Sequence, residues 1–486
     1  MDINEFIKEH LATPNDVIAE LKNGRANVSP DADLYRKDID VVLHDVNDKT
    51  IRKDKRVRVT DYESNAQSVT MGGNGPAFRT EPVARVALAL QKLIVKRAVA
   101  FAFGNEPAIY ADTDDEQQMN VLQTVKKVLS ATKTKSINRD VAAEVFSCTE
   151  AAELWFTEDK PNVLYGFPCS SKLRCQILSP LRGDTLYPYF NEYGDMVAFS
   201  RSFTRVDNDK KKTDYFETYT DETILLFVQH DGGDMVLADG YPKPNVLGKI
   251  PVVYANQPAV EWKDVQNLID RLEKLLSNFA DTNDYHAAPK IFTTGEIKGW
   301  AKKGESGAVI EGETGATAQY LSWAQAPESV KLEIETLLRM IYTITQTPDI
   351  SFDTMRTLGA VSGTALRLLF LDAHLKVQEK AAIFETYLQR RVNVILSFLQ
   401  LMNARDAAFV KAASEIVVEC ELQPYMIDDL TTKVNTLMAA TGQKAIMSRK
   451  TAVNELNFVN NTEEELAQIE SEDAGPAVVD VFEPTE

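Results

Sequence analysis

Two glycine-rich turns, Gly304-Glu305-Ser306-Gly307 and Gly312-Glu313-Thr314-Gly315, stand where a nucleotide-binding loop could. Neither carries the Lys-Ser/Thr pair that would hold phosphate and magnesium, so both read as turns. Gly72-Gly73-Asn74-Gly75 has no strand before it and no glycine-opened helix after it, which disfavours a dinucleotide site. The five histidines (His10, His44, His230, His286, His374) are scattered, none four residues from another and none in an HExxH arrangement. Asp349 with Asp353, or Asp231 with Asp234, could bind a cation or share acid and base work, but no further oxygen ligands stand at matching spacing, and they read as solvated loop acids. Four cysteines (Cys148, Cys169, Cys175, Cys420) form no CxxC pair and read as reduced thiols. Lys210-Lys211-Lys212, among Asp207, Asp209 and Asp214, reads as a solvated hairpin tip, whereas Lys298, Lys302 and Lys303 in a glycine-rich insert are candidates for docking a partner. No catalytic residue, metal or cofactor is expected, and the chain does not read as an enzyme.

The residues left to consider are carried by long helices. From Glu261 to Tyr285 the series Val265, Leu268, Ile269, Leu272, Leu275, Leu276, Phe279 puts an apolar stripe on one helical face. Val330, Ile334, Leu337, Leu338, Ile341 and Ile344 repeat it after Pro327, which can open a helix. Between them, Lys290 to Gln325 is glycine-rich with short strand-like pieces, so a helical pair with a small lobe at its tip is expected. A polar loop, Thr347 to Val361, then leads to Ser362, a plausible cap for a third helix running to about Met402. Such a rod, about 60 Å long at 1.5 Å per residue, suits a mechanical task better than an enzyme. The loop offers Ser351, Asp353, Thr354, Arg356 and Thr357, with no aromatic platform on which bases could stack.

Upstream, residues to about Asp61 read as polar and irregular apart from a helix from Pro14 to Leu21 behind Thr13. Helices are expected over Val83 to Ala102, Glu116 to Ser130 and Ile137 to Cys148. Strands are expected over Ala152 to Phe156, Leu173 to Leu178, Met196 to Ser200, Tyr215 to Tyr219 and Ile224 to Val228, an antiparallel sheet packed on those helices. Downstream come a strand from Glu415 to Leu422, helices around Met426 to Ala440 and Ser448 to Leu456, and an end rich in Glu463, Glu464, Glu465, Glu470, Glu472, Asp473, Asp480, Glu483 and Glu486 that should be disordered. The class is α+β, and 486 residues imply two to four subdomains.

Charge and hydropathy restrict the function further. With 72 acidic against 53 basic residues the net charge is −19, the wrong sign for a protein that grips nucleic acid tightly. It would suit one that lets a polyanion slide past. No stretch reaches the roughly twenty apolar residues of a membrane span, and the N-terminus has no signal-like pattern, so a cytoplasmic setting without membrane insertion is expected.

Several segments, in order, resemble the portal proteins of long-tailed bacteriophages. Phe103-Gly104-Asn105-Glu106-Pro107 looks like the family's turn after its early helix, and Gly248 to Asn256 is similar to its G-x-[VI]-P-[VI]-V-x-x-N segment. Leu268 to Asp281 looks like the helix that follows. Val361-Ser362-Gly363-Thr364-Ala365-Leu366 is similar to the [IV]-S-G-x-A-L motif opening the family's long helix, and Ile446-Met447-Ser448-Arg449-Lys450-Thr451 to its [IV]-[IM]-S-x-x-T turn. The first sixty residues match nothing in the family pattern. The resemblance implies a portal fold: a wing over 1–259, stem helices over 260–288 and 327–346, a small α/β clip over 289–326, a tunnel loop over 347–361, a long wing helix over 362–403, strand and crown over 404–470, and a disordered acidic tail over 471–486. It also implies a homo-oligomeric ring of about twelve copies at a capsid vertex of the virion, assembled in the host bacterial cytoplasm. Its partners would be double-stranded DNA passing without sequence specificity, the terminase large subunit, major capsid and scaffold proteins, and a head-tail adaptor. A head-completion or scaffold-like protein, or an enzyme with a dispersed site, are the alternatives.

Overall fold

The computed structural model describes residues 2–24, 49, 52–58, 78–230, 232–287, 290–294, 297–299, 311–312, 315, 317–321, 327–349, 368–425, 430–442, 445–456 and 462–473. The chain divides into two compact units, Met1–Asp349 with Asp372–Tyr425, and Ile350–Leu371 with Met426–Glu486. In chain order the first unit holds α1 (Ile3–His10), α2 (Pro14–Asn23), β1 (Lys55–Arg58), β2 (Phe78–Glu81), α3 (Leu90–Phe103), β3 (Ala108–Tyr110), α4 (Glu116–Ala131), α5 (Thr134–Cys148), β4 (Glu150–Glu158), β5 (Lys172–Leu178), β6 (Thr185–Phe190), β7 (Met196–Val206), β8 (Lys212–Thr220), β9 (Thr223–His230), β10 (Val236–Leu237), β11 (Lys243–Pro244) and β12 (Val252–Asn256). Then come α6 (Gln266–Ala287), β13 (Lys290–Thr294), β14 (Ile297–Gly299), β15 (Glu311–Gly312), β16 (Thr317–Leu321), α7 (Pro327–Ile344), α8 (Leu371–Met402), α9 (Ala407–Glu415) and β17 (Glu419–Glu421).

Sheet order is β10-β9-β8-β7-β6, with β11 also on β9, and a second sheet runs β12-β4-β5. Strand alternation decides what each face of the larger sheet covers. Ala198, Phe216, Leu225 and Phe227 point to one side and pack under Ile3, Ile7, Val17, Ile18 and Leu21 of α1 and α2. Phe199, Tyr219 and Leu186 point to the other and meet Ala152, Leu154, Leu178, Val252 and Tyr254 of the smaller sheet. The N-terminal stretch, expected to be irregular before Pro14, therefore contains a helix, α1, with the Asp2 carboxylate accepting from Asn4 N at 2.9 Å. Eight residues with two buried isoleucines form it because the sheet supplies the apolar surface that an isolated helix of that length lacks.

The helix expected from Val83 begins only at Leu90. Residues 82–89 instead lie extended along α6. Ala84 N, Val86 N and Leu88 N donate to Asp281 Oδ1 (2.8 Å), Ser277 Oγ (2.9 Å) and Glu273 Oε1 (2.7 Å). Alternate residues of a strand are about 6.7 Å apart and residues four apart on a helix about 6 Å, so one periodicity matches the other. Arg52 locks the start of this strap, donating to Ala84 O, Asn278 Oδ1 and Asp281 Oδ2 at 2.7–2.8 Å. Helical propensity in Val83–Ala89 yields to these tertiary bonds.

α6 and α7 pair side by side, α7 burying Leu337 and Ile341 and α6 burying Ile269, Leu272 and Leu275. Between them β13 pairs with β16 and β14 with β15, all antiparallel. Among the described residues this insert holds strands and no helix. α8 is 32 residues, about 48 Å of rod; the expected start at Ser362 lies outside the described residues. Its inner face buries Ala373, Val377, Phe384, Leu388, Val392, Ile395 and Leu399. Where a strand from Glu415 was expected, α9 runs to Glu415 and β17 covers only Glu419–Glu421, paired with β3. Asp406, accepting from Phe409 N at 3.1 Å, caps the N-terminus of α9.

The second unit contains α10 (Leu430–Thr441), α11 (Arg449–Leu456) and α12 (Thr462–Asp473). Ser448 caps α11 by accepting from Thr451 N at 3.1 Å, which is the physical content of the serine and threonine in the Ile446–Thr451 motif. The acidic stretch beginning at Glu463 was expected to be disordered, yet Thr462–Asp473 is helical. Glu463, Glu464 and Glu465 occupy the first turn, where the helix dipole favours negative charge, and Lys450 pairs with Glu463 at 3.1 Å. Residues beyond Asp473 lie outside the described residues.

Candidate functional site

Ser351, Asp353, Thr354, Arg356 and Thr357 lie outside the described residues, as do Lys302 and Lys303; Lys298 sits in β14. What the structure does define is the base of that loop, where α7 ends. Gln346 adopts a left-handed conformation (φ +49°), with Gln346 N donating to Thr343 O (3.1 Å) and Thr347 N to Tyr342 O (2.9 Å). This is a Schellman stop, the pattern that usually places glycine at the left-handed position. Glutamine there carries about 1–2 kcal/mol of steric cost, partly offset because glycine would raise the entropy of the unfolded chain by about 0.4–1 kcal/mol. Gln346→Gly is therefore expected to raise stability by a few tenths to about 1 kcal/mol, read as a higher midpoint in urea with the slope unchanged.

Three cations converge on this stop from two other helices. Arg97 of α3 donates to Pro348 O at 2.6 Å, its guanidinium 5.4 Å from the Tyr342 ring centre. Lys376 of α8 donates to Thr345 O at 3.0 Å and pairs with Glu261 at 2.6 Å. One turn on, Lys380 pairs with the same carboxylate at 2.9 Å and donates to Gln257 Oε1 at 3.2 Å. Glu261 stands in the segment between β12 and α6, its own N–H bonded to Phe146 O at 3.1 Å. Side-chain exposure is 9% for Lys376, 14% for Lys380 and 4% for Glu261. Burial alone would push the Glu261 carboxyl up; the two ammonium groups outweigh it and hold the carboxyl below the usual glutamate range.

The sequence did not single out Lys376 and Lys380. The available signal was two lysines four apart on the otherwise apolar side of a helix, between Ala373, Val377 and Phe384. Such a pair usually snorkels to solvent, so the partner on a distant segment could not be read from it.

The carboxylate is held ionised between two ammonium groups. Among the described residues no group of three or more His, Cys, Asp or Glu could hold a metal. His10 Nδ1 is 3.0 Å from Phe6 O and His374 Nε2 is 3.2 Å from Tyr425 O. Cys148 and Cys169 are buried, and burial pushes the Cys420 thiol up to about 11. The site is a mechanical joint: backbone ends of helices held by buried charge.

The family model for phage portal proteins of the SPP1 Gp6-like kind matches residues 27–477, and the chain belongs to that family. The family is structural and non-enzymatic, so the role is that of a portal-type component of a phage particle. Among solved structures, the neck of an empty GTA particle computed with C6 symmetry is similar at 10% identity and a TM-score of 0.35, over 76% of this chain and 89% of that one. The neck of a native GTA particle computed with C12 symmetry is similar at 11% identity and a TM-score of 0.37, over 76% and 88%. No curated protein matches.

Proposed function

We propose that this chain is the subunit of a closed ring of about twelve copies at one capsid vertex, forming the channel through which double-stranded DNA is packaged and ejected. The observation that carries the reading is the family match over residues 27–477. In it, 1–259 is the wing, α6 and α7 are the stem helices, the β13–β16 lobe with Lys298, Lys302 and Lys303 is the clip that meets the terminase large subunit and later the head-tail adaptor, and α10–α12 belong to the crown. Major capsid and scaffold proteins would surround the ring, whose assembly takes place in the host bacterial cytoplasm.

Charge supports a channel that does not grip. A subunit of net charge −19 presents little cationic surface to a polyanion, so counterion release supplies little affinity. Ser351, Asp353, Thr354, Arg356 and Thr357 can then touch backbone phosphate transiently without reading sequence. A ring also gives a place to the apolar residues α7 leaves exposed, since neighbours in a cyclic heterologous interface cover one another. Negative-stain images of purified protein test the reading, which expects a ring with a hole wide enough for duplex DNA; monomers at high concentration, or a filled centre, would overturn it. Arg356→Glu is expected to reduce packaged or retained DNA severalfold, measured as nuclease-protected DNA per particle, with the ring intact. Loss of assembly in that variant would argue against a position in the bore.

A further inference from the structure

Glu261 accepts Lys376 at 2.6 Å and Lys380 at 2.9 Å, and the same Lys376 holds Thr345 O, the carbonyl at which α7 ends. One ion cluster thus joins the segment that leads into α6, the exit of α7 and the body of α8. We propose that Lys376 and Lys380 are positioning residues for the stop at which α7 ends, Thr345–Asp349, with Glu261 as their shared anchor, so that the end of α7 and the body of α8 cannot shift independently; the tunnel loop of the portal reading follows that stop. The proposal rests on the portal reading for its meaning, because in that reading this loop faces DNA, but the coupling stands on the geometry of one subunit.

The physical argument is one of distances and dielectric. Lys376 and Lys380 are one turn apart on a rigid helix, so their ammonium groups move together. The cluster is buried, where an unpaired charge is costly and salt screens little. Sliding α8 by about 1 Å relative to Thr345 would stretch the 3.0 Å bond beyond hydrogen-bond length while the 2.6 Å pair to Glu261 resisted. Arg97, from α3, holds Pro348 O at 2.6 Å and so ties a third helix to the same exit. Solvated lysines at i, i+4 would show none of these contacts.

Hydrogen exchange on the purified protein tests it. The amides of Gln346 and Thr347 are bonded to Thr343 O and Tyr342 O and report opening of the stop directly. In Lys376→Met these two are expected to exchange roughly tenfold faster or more, while amides of the β7–β8 ladder keep their rates. Glu261→Gln, which removes the anchor without touching Thr345, is expected to accelerate the same two amides. Lys380→Met leaves Thr345 O its donor and is expected to accelerate them less. Unchanged rates in Lys376→Met, acceleration spread evenly over the β7–β8 ladder, or an effect of Lys380→Met equal to that of Lys376→Met would each overturn the assignment. Because the readout needs no DNA and no particle, it fails or succeeds separately from the ring reading, which is decided by the shape of the oligomer.

Discussion

Arg391→Met is expected to cost about 3–5 kcal/mol of folding stability, the largest effect of any single substitution proposed for this chain. Arg391 on α8 is 2% exposed and Glu153 on β4 is fully buried. The guanidinium donates to Glu153 through both Nε (3.0 Å) and the nearby terminal nitrogen, and to Asn138 Oδ1 of α5 at 2.6 Å. Tyr387 OH and Trp155 Nε1 (3.0 Å) donate to the same carboxylate. Removing the arginine leaves a buried anion with two neutral donors, which is where the cost arises, since the intact pair roughly offsets its own desolvation. The double variant Glu153→Leu with Arg391→Met should accordingly recover most of the loss. Denaturant unfolding followed by circular dichroism measures both. A loss below about 1 kcal/mol in Arg391→Met would show that water reaches the pair and that α8 is not held to the sheet by it.

Burial alone would favour a neutral Arg391 side chain; the Glu153 charge outweighs it and keeps the guanidinium protonated, while burial raises Tyr387 well above its ordinary value. The same junction pushes the Cys175 thiol up, first by burial and then by the Glu153 charge. No sequence pattern announced this cluster, because its members lie on α5, β4 and α8 and each looks ordinary alone.

What was legible in the chain follows from how local each cause is. The expected strands from Ala152, Leu173, Met196, Tyr215 and Ile224 fall inside β4, β5, β7, β8 and β9 because their period of two is a property of a few adjacent residues. β6 escaped notice: Thr185-Leu186-Tyr187-Pro188-Tyr189-Phe190 carries a proline, tolerated here because β6 is the edge of its sheet. The helical stripes of α6 and α7 were equally visible. By contrast, α1 needed the sheet and the strap at 82–89 needed Asp281, Ser277 and Glu273. The Glu261 cluster needed three segments brought to one point. Periodicity gives the elements, and ion pairs between distant elements give the joint.

The second large effect concerns assembly. On α7, Leu332, Met340 and Ile344 are 66%, 48% and 51% exposed; at about 100° per residue Leu332 lies well round the helix from the buried Leu337 and Ile341, while Met340 and Ile344 lead from it to the edge of that buried side. Fully burying a leucine, isoleucine or methionine is worth about 1.5–3 kcal/mol, so three half to two-thirds exposed side chains could contribute about 3–5 kcal/mol at each subunit contact. The proposed closed ring would repeat that contact around its circumference, which would make assembly steeply sensitive to it. Leu332→Glu combined with Met340→Glu would place two carboxylates in an apolar contact, losing the burial and adding the cost of desolvating unpaired charge. In the separate subunit both positions face solvent, so its own unfolding should change by only about 0.5 kcal/mol. If the parent forms the proposed ring, mass photometry of the double variant is expected to show subunits in its place, with the circular dichroism unchanged. Rings of parental mass would remove α7 from the subunit interface and leave its exposed side chains to another partner.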